Sequence, residues 1–182
     1  LADHSSGIRV GRARIPRVSA AVILDLPMIT HKVRPGAAEG YKACEAASGD
    51  TVEEGTVGAG TGGTIGKLMG PERAVKGGVG TASVDLGNGV IVGALIVTNP
   101  VGGAYDPDTG RVIAGPRAGD GTSMLDSLSL ITSPEFEPPK WMPLSNTTIG
   151  VVGTNVRLSK EKVNNLASIA HDGLAMAIRP AH

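Results

Sequence analysis

The chain has 182 residues, enough for one domain, and its 17 basic and 17 acidic residues cancel. This balance argues against the strongly basic surface that nucleic acid or an acidic membrane would require. Hydrophobic residues make up 41% but aromatic residues only 2%, so we expect a core of Val, Ile, Leu and Ala. The 27 glycines are separated by apolar stretches and therefore indicate tight turns rather than disorder.

The single cysteine, Cys44, excludes an internal disulfide and favours a reducing compartment, so we expect a cytoplasmic protein. Its helical setting predicts a buried, unreactive thiol. No apolar run reaches the roughly 18 residues that a membrane span needs. Because no Met opens the sequence and it stops soon after a predicted helix, we expect a fragment of a longer chain.

The apolar pattern in the first half predicts a strand, a helix and a hairpin. Residues 18–26 form a short, partly β-branched run that predicts a buried strand. Residues 35–47, which begin with proline, predict an amphipathic helix. A hairpin is predicted for residues 81–86 and 90–98 around Asn88, because an Asn-Gly pair supplies the positive φ angles of a tight turn. Its second strand, apolar on both faces, is expected to be central in its sheet.

The second half predicts a turn, a connector, a strand and a helix. Residues 106–110 indicate a polar turn; a calcium loop, which the two aspartates could also suggest, lacks its later glutamate. Residues 116–143 are polar and predict an exposed connector. Residues 147–154 have strand character, and Ser159 is suited to cap a helix that runs to Ile178. This mixture, without a βαβ repeat, predicts an α+β layered sandwich.

A glycine-rich segment, residues 58–63 (GAGTGG), partly matches the dinucleotide-binding fingerprint. It lacks the surrounding strand–turn–helix unit and the acidic residue that would bind a ribose. We therefore predict a closely packed loop at this segment rather than a cofactor site.

The bond between Asn146 and Thr147 joins the polar connector to an apolar strand. A Thr at the first position of such a strand becomes an N-terminal nucleophile once the bond before it breaks. Its hydroxyl attacks the preceding carbonyl to give an ester, which water hydrolyses. The freed α-amine, with an ordinary pKa of about 7.7–8.0, is suited to act as general base for that hydroxyl. The same residues also fit a capped turn before a strand or, with Thr148, the N-glycosylation pattern.

Several segments, in order along nearly the whole chain, carry a resemblance to a known family. They are residues 20–25 (AAVILD), 76–83 (KGGVGTAS), 97–102 (VTNPVG), 146–159 (NTTIGVVGTNVRLS), 171–174 (HDGL) and 178–182 (IRPAH). Together they resemble the DmpA-type L-aminopeptidase D-Ala-esterase/amidase family, which includes the 6-aminohexanoate-oligomer (nylon-oligomer) hydrolases. Residues 146–159 resemble its cleavage region, and residues 97–102 the end of its oxyanion-region strand.

The resemblance implies an αββα sandwich of the N-terminal-nucleophile hydrolase type, made as a precursor that cuts itself between Asn146 and Thr147. Residues 1–146 would belong to the α chain and residues 147–182 to the β chain, within one partial domain. Thr147 is implied as nucleophile and, after cleavage, as α-amine base; Asn99 is implied as the donor that stabilises the oxyanion. From the residues alone, Asn99 also fits a turn residue before proline.

The same resemblance implies a small peptide or amino-acid amide as substrate, no metal or organic cofactor, and αβ units that assemble into a homo-oligomer. Within the family, a 6-aminohexanoate-oligomer or pantetheine-type amidase is a second possibility. A non-catalytic relative with a binding or assembly role is a possibility of a different class.

Other site residues of the family are not matched. Its early-chain tyrosine has no counterpart, and its supporting acidic or Ser/Glu pair is expected beyond residue 182. The nylon-oligomer branch adds a lysine from the helix near Pro35, where this sequence has Ala37. His171 is interpreted as a helix-face residue and His182 as structural.

Overall fold

The computed structural model describes residues 7–16, 18–26, 28–137 and 146–181, and its elements mix helix and sheet as predicted. The helices are α1 (Ala37–Glu45), α2 (Ser127–Thr132) and α3 (Lys160–Ala177). The strands are β1 (Ile8–Val10), β2 (Ala13–Ile15), β3 (Thr64–Ile65), β4 (Val75–Lys76), β5 (Gly78–Asp85), β6 (Ile91–Asn99), β7 (Gly103–Tyr105), β8 (Val112–Ala114), β9 (Thr147–Thr154) and β10 (Ile178–Arg179). Short 3-10 turns lie at Gly58–Gly60, Lys67–Met69 and Pro71–Arg73.

The sheet that contains both predicted site residues is antiparallel, with β6 between β5 and β9. The β5–β6 hairpin turns at Asn88, whose φ of 53° is the left-handed conformation expected of an Asn-Gly turn. Asn155 ties β9 to this hairpin, since its side chain accepts from Ile91 N at 3.0 Å and donates to Gly89 O at 2.7 Å. The predicted hairpin, its central second strand and the strand at 147–154 are confirmed.

The described core lies beside the C-terminal end of β6. A second antiparallel sheet has the order β10–β7–β8, and β3 pairs with β4. The polar turn predicted at 106–110 joins β7 to β8, with Asp106 Oδ1 accepting from Asp108 N at 2.9 Å. The buried hydrophobic side chains are Ile65, Leu68, Val75, Val97, Val101, Tyr105 and Ile178.

Helices α1 and α3 begin with side-chain hydrogen bonds to the backbone. Glu39 Oε2 accepts from Gly36 N at 2.8 Å in α1, and Ser159 Oγ accepts from Lys162 N at 3.4 Å in α3. The two predicted helices are therefore confirmed. Among the described residues, no helix has both the length and the apolar character needed to cross a membrane.

Some local predictions are wrong. Residues 18–26 form no strand: no described strand pairs with them, and the main chain of Leu24 instead contacts side chains at the end of the central sheet. Cys44 is exposed, because α1 lies on the surface and buries none of its residues. The connector at 116–143 contains α2, which Asp126 caps by accepting from its first turn. Its last part, 138–143, lies outside the described residues.

Candidate active site

The two predicted site residues meet at one end of the central sheet. Asn99 ends β6, Thr147 begins β9, and the antiparallel register places them directly opposite each other. Opposed residues share one face of a sheet, with Cβ atoms about 4.5–5.5 Å apart. Asn99 is fully buried at 0% exposure, whereas Thr147 is half-buried. A partly exposed threonine therefore lies opposite a buried asparagine.

The Asn99 amide has a fixed orientation. Its Oδ1 accepts from Lys67 Nζ at 2.8 Å, and from Thr64 through the backbone N at 3.1 Å and the hydroxyl at 3.3 Å. Because the Thr64 backbone N–H can only donate, the amide atom that faces it must be the oxygen. The Nδ2 donor lies on the other side of the amide, where it contacts Leu24 O at 3.0 Å. Leu24 N in turn donates to Thr147 Oγ1 at 3.5 Å, so Leu24 links the two site residues.

Lys67 is fully buried and is surrounded by oxygen atoms. Besides Asn99 Oδ1, three further acceptors lie within hydrogen-bond distance of its Nζ and share its N–H groups: Asn99 O at 3.0 Å, Thr64 O at 2.9 Å and Thr64 Oγ1 at 3.3 Å. All of these acceptors are uncharged, and burial lowers the pKa of Lys67 from 10.5 to about 7. Near neutral pH the lysine is therefore balanced between an ammonium ion and a neutral amine, directly behind the Asn99 amide.

The sequence around Lys67 explains how a lysine comes to be buried there. Gly66 has φ 74°, and Gly115 backbone fills the space that a side chain at Gly66 would need. Gly66 N donates to Gly102 O at 2.8 Å and Lys67 N to Val101 O at 2.9 Å. The turn that carries Lys67 is thus bonded to the segment that follows β6, and its side chain extends back toward the strand end.

The glycine-rich segment at 58–63 is a closely packed loop, as predicted. Gly60, Gly62 and Gly63 are buried, and a Cβ on Gly63 would lie 2.6 Å from Thr98 O. The absence of side chains lets this loop reach the backbone next to Asn99. It brings Thr64 and Lys67 to the site.

Lys67 is a site residue that the sequence patterns do not predict. Ala37, the position at which the resemblance predicts the counterpart of a site lysine in the nylon-oligomer branch, starts the exposed helix α1. The lysine beside Asn99 comes instead from the 3-10 turn after β3. A lysine flanked by glycines, in Gly66-Lys67-Leu68-Met69-Gly70, is the signal that the sequence offers for it.

The remaining predicted residues take different positions. Asn146 is half-buried, and its Oδ1 is shielded and accepts no hydrogen bond from the described residues. His171 is exposed on α3 with Nδ1 3.1 Å from Ala167 O, which confirms a helix-face residue. His182 lies outside the described residues.

Comparison with known proteins identifies one matching family model and several similar proteins. The family model described as peptidase family S58 matches residues 12–182. An uncharacterized aminopeptidase of Mycobacterium tuberculosis is 40% identical over 190 residues, covering 100% of this chain and 52% of the relative. One from Mycobacterium leprae is 42% identical over 196 residues, covering 100% and 50%.

A 6-aminohexanoate-oligomer endohydrolase of Kocuria sp. is 32% identical over 174 residues, covering 96% of this chain and 48% of the relative. The chain spans about half the length of these curated relatives. The match over residues 12–182 bears out the resemblance seen in the sequence motifs, and the chain belongs to peptidase family S58.

Proposed function

We propose that the complete protein is an amide hydrolase that cuts its own chain between Asn146 and Thr147 and then uses Thr147 as its nucleophile. The observation that carries the proposal is the pairing of Thr147, at the first position of β9, with the buried amide of Asn99. Family membership and relatives named aminopeptidase and 6-aminohexanoate-oligomer endohydrolase support hydrolysis of peptide or linear amide bonds.

Self-cleavage begins when the Thr147 hydroxyl adds to the carbonyl carbon of Asn146. The C–N bond breaks, the hydroxyl proton ends on the Thr147 nitrogen, and Asn146 becomes an ester of Thr147 Oγ1. Water then hydrolyses the ester and leaves a carboxylate on Asn146, with a free hydroxyl and α-amine on Thr147. The β-branch of Thr147 limits χ1 and so helps to hold the hydroxyl in place.

Asn99 supplies a donor for the oxyanion in cleavage and in turnover. With Oδ1 held by Lys67, its Nδ2 is oriented away from the lysine, and a fixed amide donor stabilises negative charge on a tetrahedral intermediate. The ammonium form of Lys67 adds positive charge behind this amide and polarises it. Lys67 thus acts on the reacting carbonyl through Asn99.

In turnover the new N-terminus supplies both the nucleophile and the general base. The α-amine of Thr147 takes the proton of its own hydroxyl, and Oγ1 attacks the substrate carbonyl to give an acyl-enzyme. Water releases the acid and restores the hydroxyl. An α-amine with an ordinary pKa of about 7.7–8.0 suits this role near neutral pH.

Short peptides with a free amino end, or amino-acid amides, are the proposed substrates. A 6-aminohexanoate-oligomer hydrolase is the second candidate, because Lys67 contacts Asn99 and that branch is expected to carry a site lysine. A pantetheine-type amidase would share the same self-cleavage and differ only in its substrate. A non-catalytic relative would instead leave the chain uncut.

For the complete protein we propose the αββα sandwich, with residues 1–146 in the α chain and residues 147–182 in the β chain. Its αβ units are proposed to assemble into a homo-oligomer in the cytoplasm. The central β5–β6–β9 sheet would form one of the two inner layers.

The decisive experiment is intact mass and N-terminal sequencing of the full-length protein and its Thr147→Ala variant. We expect the wild type to yield a fragment that begins with Thr147, and the variant to stay uncut and inactive on peptide amides and aminohexanoate oligomers. A wild-type chain that stays whole but hydrolyses these amides would exclude the N-terminal Thr mechanism.

A further inference from the structure

A shielded oxygen next to the scissile bond has no partner among the described residues. Asn146 Oδ1 is buried and accepts no hydrogen bond from them, and Asn146 directly precedes Thr147 in the chain. Buried polar atoms are nearly always paired, because an unpaired acceptor costs free energy. Within the described residues, the uncut chain therefore leaves this acceptor without a donor at the bond that is proposed to break.

The nitrogen of Thr147 is the atom whose hydrogen-bonding changes most when this bond breaks. As a peptide nitrogen it has one N–H donor. After the bond shifts it is an amine and, once protonated, an ammonium group that carries more donors, at a residue that is only half open to solvent. These additional donors need acceptors close by, and Asn146 Oδ1 belongs to the adjoining residue.

We propose that Asn146 Oδ1 is the acceptor for the α-amine that self-cleavage creates on Thr147. This inference rests on the proposed function and assigns a role to the residue before the cut. As Thr147 Oγ1 bonds to the Asn146 carbonyl carbon, the C–N bond breaks and the hydroxyl proton passes to the nitrogen. The amine then donates to Asn146 Oδ1, which stabilises the ester against return to the amide.

Thr148 provides an internal comparison. Its Oγ1 is also buried without a partner in the described part of the chain, and the residue is 7% exposed. Because side chains alternate along a strand, Thr148 lies on the face of β9 opposite to Thr147. If self-cleavage were favoured by pairing buried polar atoms in general, replacing either Asn146 or Thr148 should change its rate. If Asn146 Oδ1 accepts from the new amine, only replacement of Asn146 should slow it.

The test measures how fast uncut full-length protein disappears after synthesis, by intact mass. Asn146→Leu keeps the size but removes the acceptor, Asn146→Asp keeps an oxygen acceptor, and Thr148→Val is the matched control. We expect Asn146→Leu to slow self-cleavage about tenfold to a hundredfold, the effect of losing one hydrogen bond to a charged group. The other variants should stay within about threefold of the wild-type rate, since the acceptor is retained.

A second readout separates this role from misfolding. The thermal midpoint of uncut Asn146→Leu is expected to match that of the uncut Thr147→Ala variant; a clearly lower midpoint would indicate a general structural defect and overturn the inference. Equal self-cleavage rates for wild type and Asn146→Leu would also overturn the inference, while leaving the proposed self-cleavage unaffected. So would equal slowing by Asn146→Asp or by Thr148→Val. If the full-length wild-type chain is never cut, both the proposed function and this inference are wrong.

Discussion

Lys67 Nζ lies 2.8 Å from Asn99 Oδ1 and 3.0 Å from the main-chain oxygen of the same residue. One buried amino group therefore holds both the side chain and the backbone of the asparagine opposite Thr147. Lys67 thus fixes the orientation of the Asn99 amide, the proposed oxyanion donor, although no role in contacting the carbonyl is proposed for Lys67 itself. Activity and stability should both depend on this contact and on the backbone packing around it.

Replacing Asn99 by Ala should lower kcat by roughly 10²–10³, the usual effect of losing one oxyanion donor. The measurement is steady-state hydrolysis of a peptide amide, normalised to the amount of free Thr147 amino terminus. Asn155→Ala is the matched control, because Asn155 is also an asparagine of this sheet but bonds Ile91 and Gly89 at its other end. We expect the control to lose stability and keep kcat. If the Asn99→Ala enzyme kept the wild-type kcat, Asn99 would not be part of the catalytic site.

The effects of Lys67 and Asn99 on kcat should not add. If Lys67 acts by orienting the Asn99 amide, Lys67→Met should reduce kcat in the wild type but have little further effect in Asn99→Ala. Residues that share one hydrogen-bond network show coupling energies of about 0.5–3 kcal/mol. A double-mutant cycle on kcat measures this coupling. Strict additivity would mean that Lys67 works independently of Asn99.

The free energy of unfolding of the full-length protein should increase as pH rises above about 7, because of Lys67. Burial lowers the pKa of Lys67 from 10.5 to about 7, so between these values the unfolded chain holds a proton that the folded chain has lost. Raising pH then favours the folded state, by at most about 1.4 kcal/mol per pH unit. Below this range both states are protonated and the contribution is constant.

The check on this pH dependence is the urea midpoint measured at several pH values above 7. Lys67→Met should remove the rising contribution, whatever its effect on stability at a single pH. Lys67→Arg should remove it as well, because an arginine stays charged throughout. Parallel curves for wild type and Lys67→Met would show that burial does not shift the pKa of Lys67 as stated.

The backbone beside Asn99 should not tolerate a side chain at Gly77. A Cβ there would collide with the Thr98 main-chain oxygen, whereas a Cβ on Gly80 of β5 would meet no atom of the described residues within 4 Å. We expect Gly77→Ala to cost about 1–3 kcal/mol of unfolding free energy and also to lower kcat by displacing Asn99. Gly80→Ala should leave kcat unchanged. Thermal unfolding and activity assays on both variants test this, and equal kcat values would contradict the expected displacement.

The positions of Asn99 and Thr147 were predictable because local patterns determine them. An Asn-Gly turn and an apolar run define the β5–β6 hairpin, and a second apolar run defines β9. Lys67 was not predictable in this way, since lysines are rarely buried without a charged partner. Its burial depends on long-range contacts of a glycine-rich loop with the segment after β6. The strand predicted at 18–26 failed for a related reason: an apolar run forms a strand only beside a partner.

The register of β6 and β9 has a practical consequence for assembling this site from separate or rearranged chains. Eight opposed residue pairs, from Val92 with Thr154 to Asn99 with Thr147, hold the two strands together without help from the chain that joins them. Severing that chain before Thr147 would therefore leave the proposed nucleophile anchored by its own strand. Two separately expressed pieces divided at this bond should therefore reassemble. A circularly permuted version that begins at Thr147 should expose the proposed catalytic amine without self-cleavage.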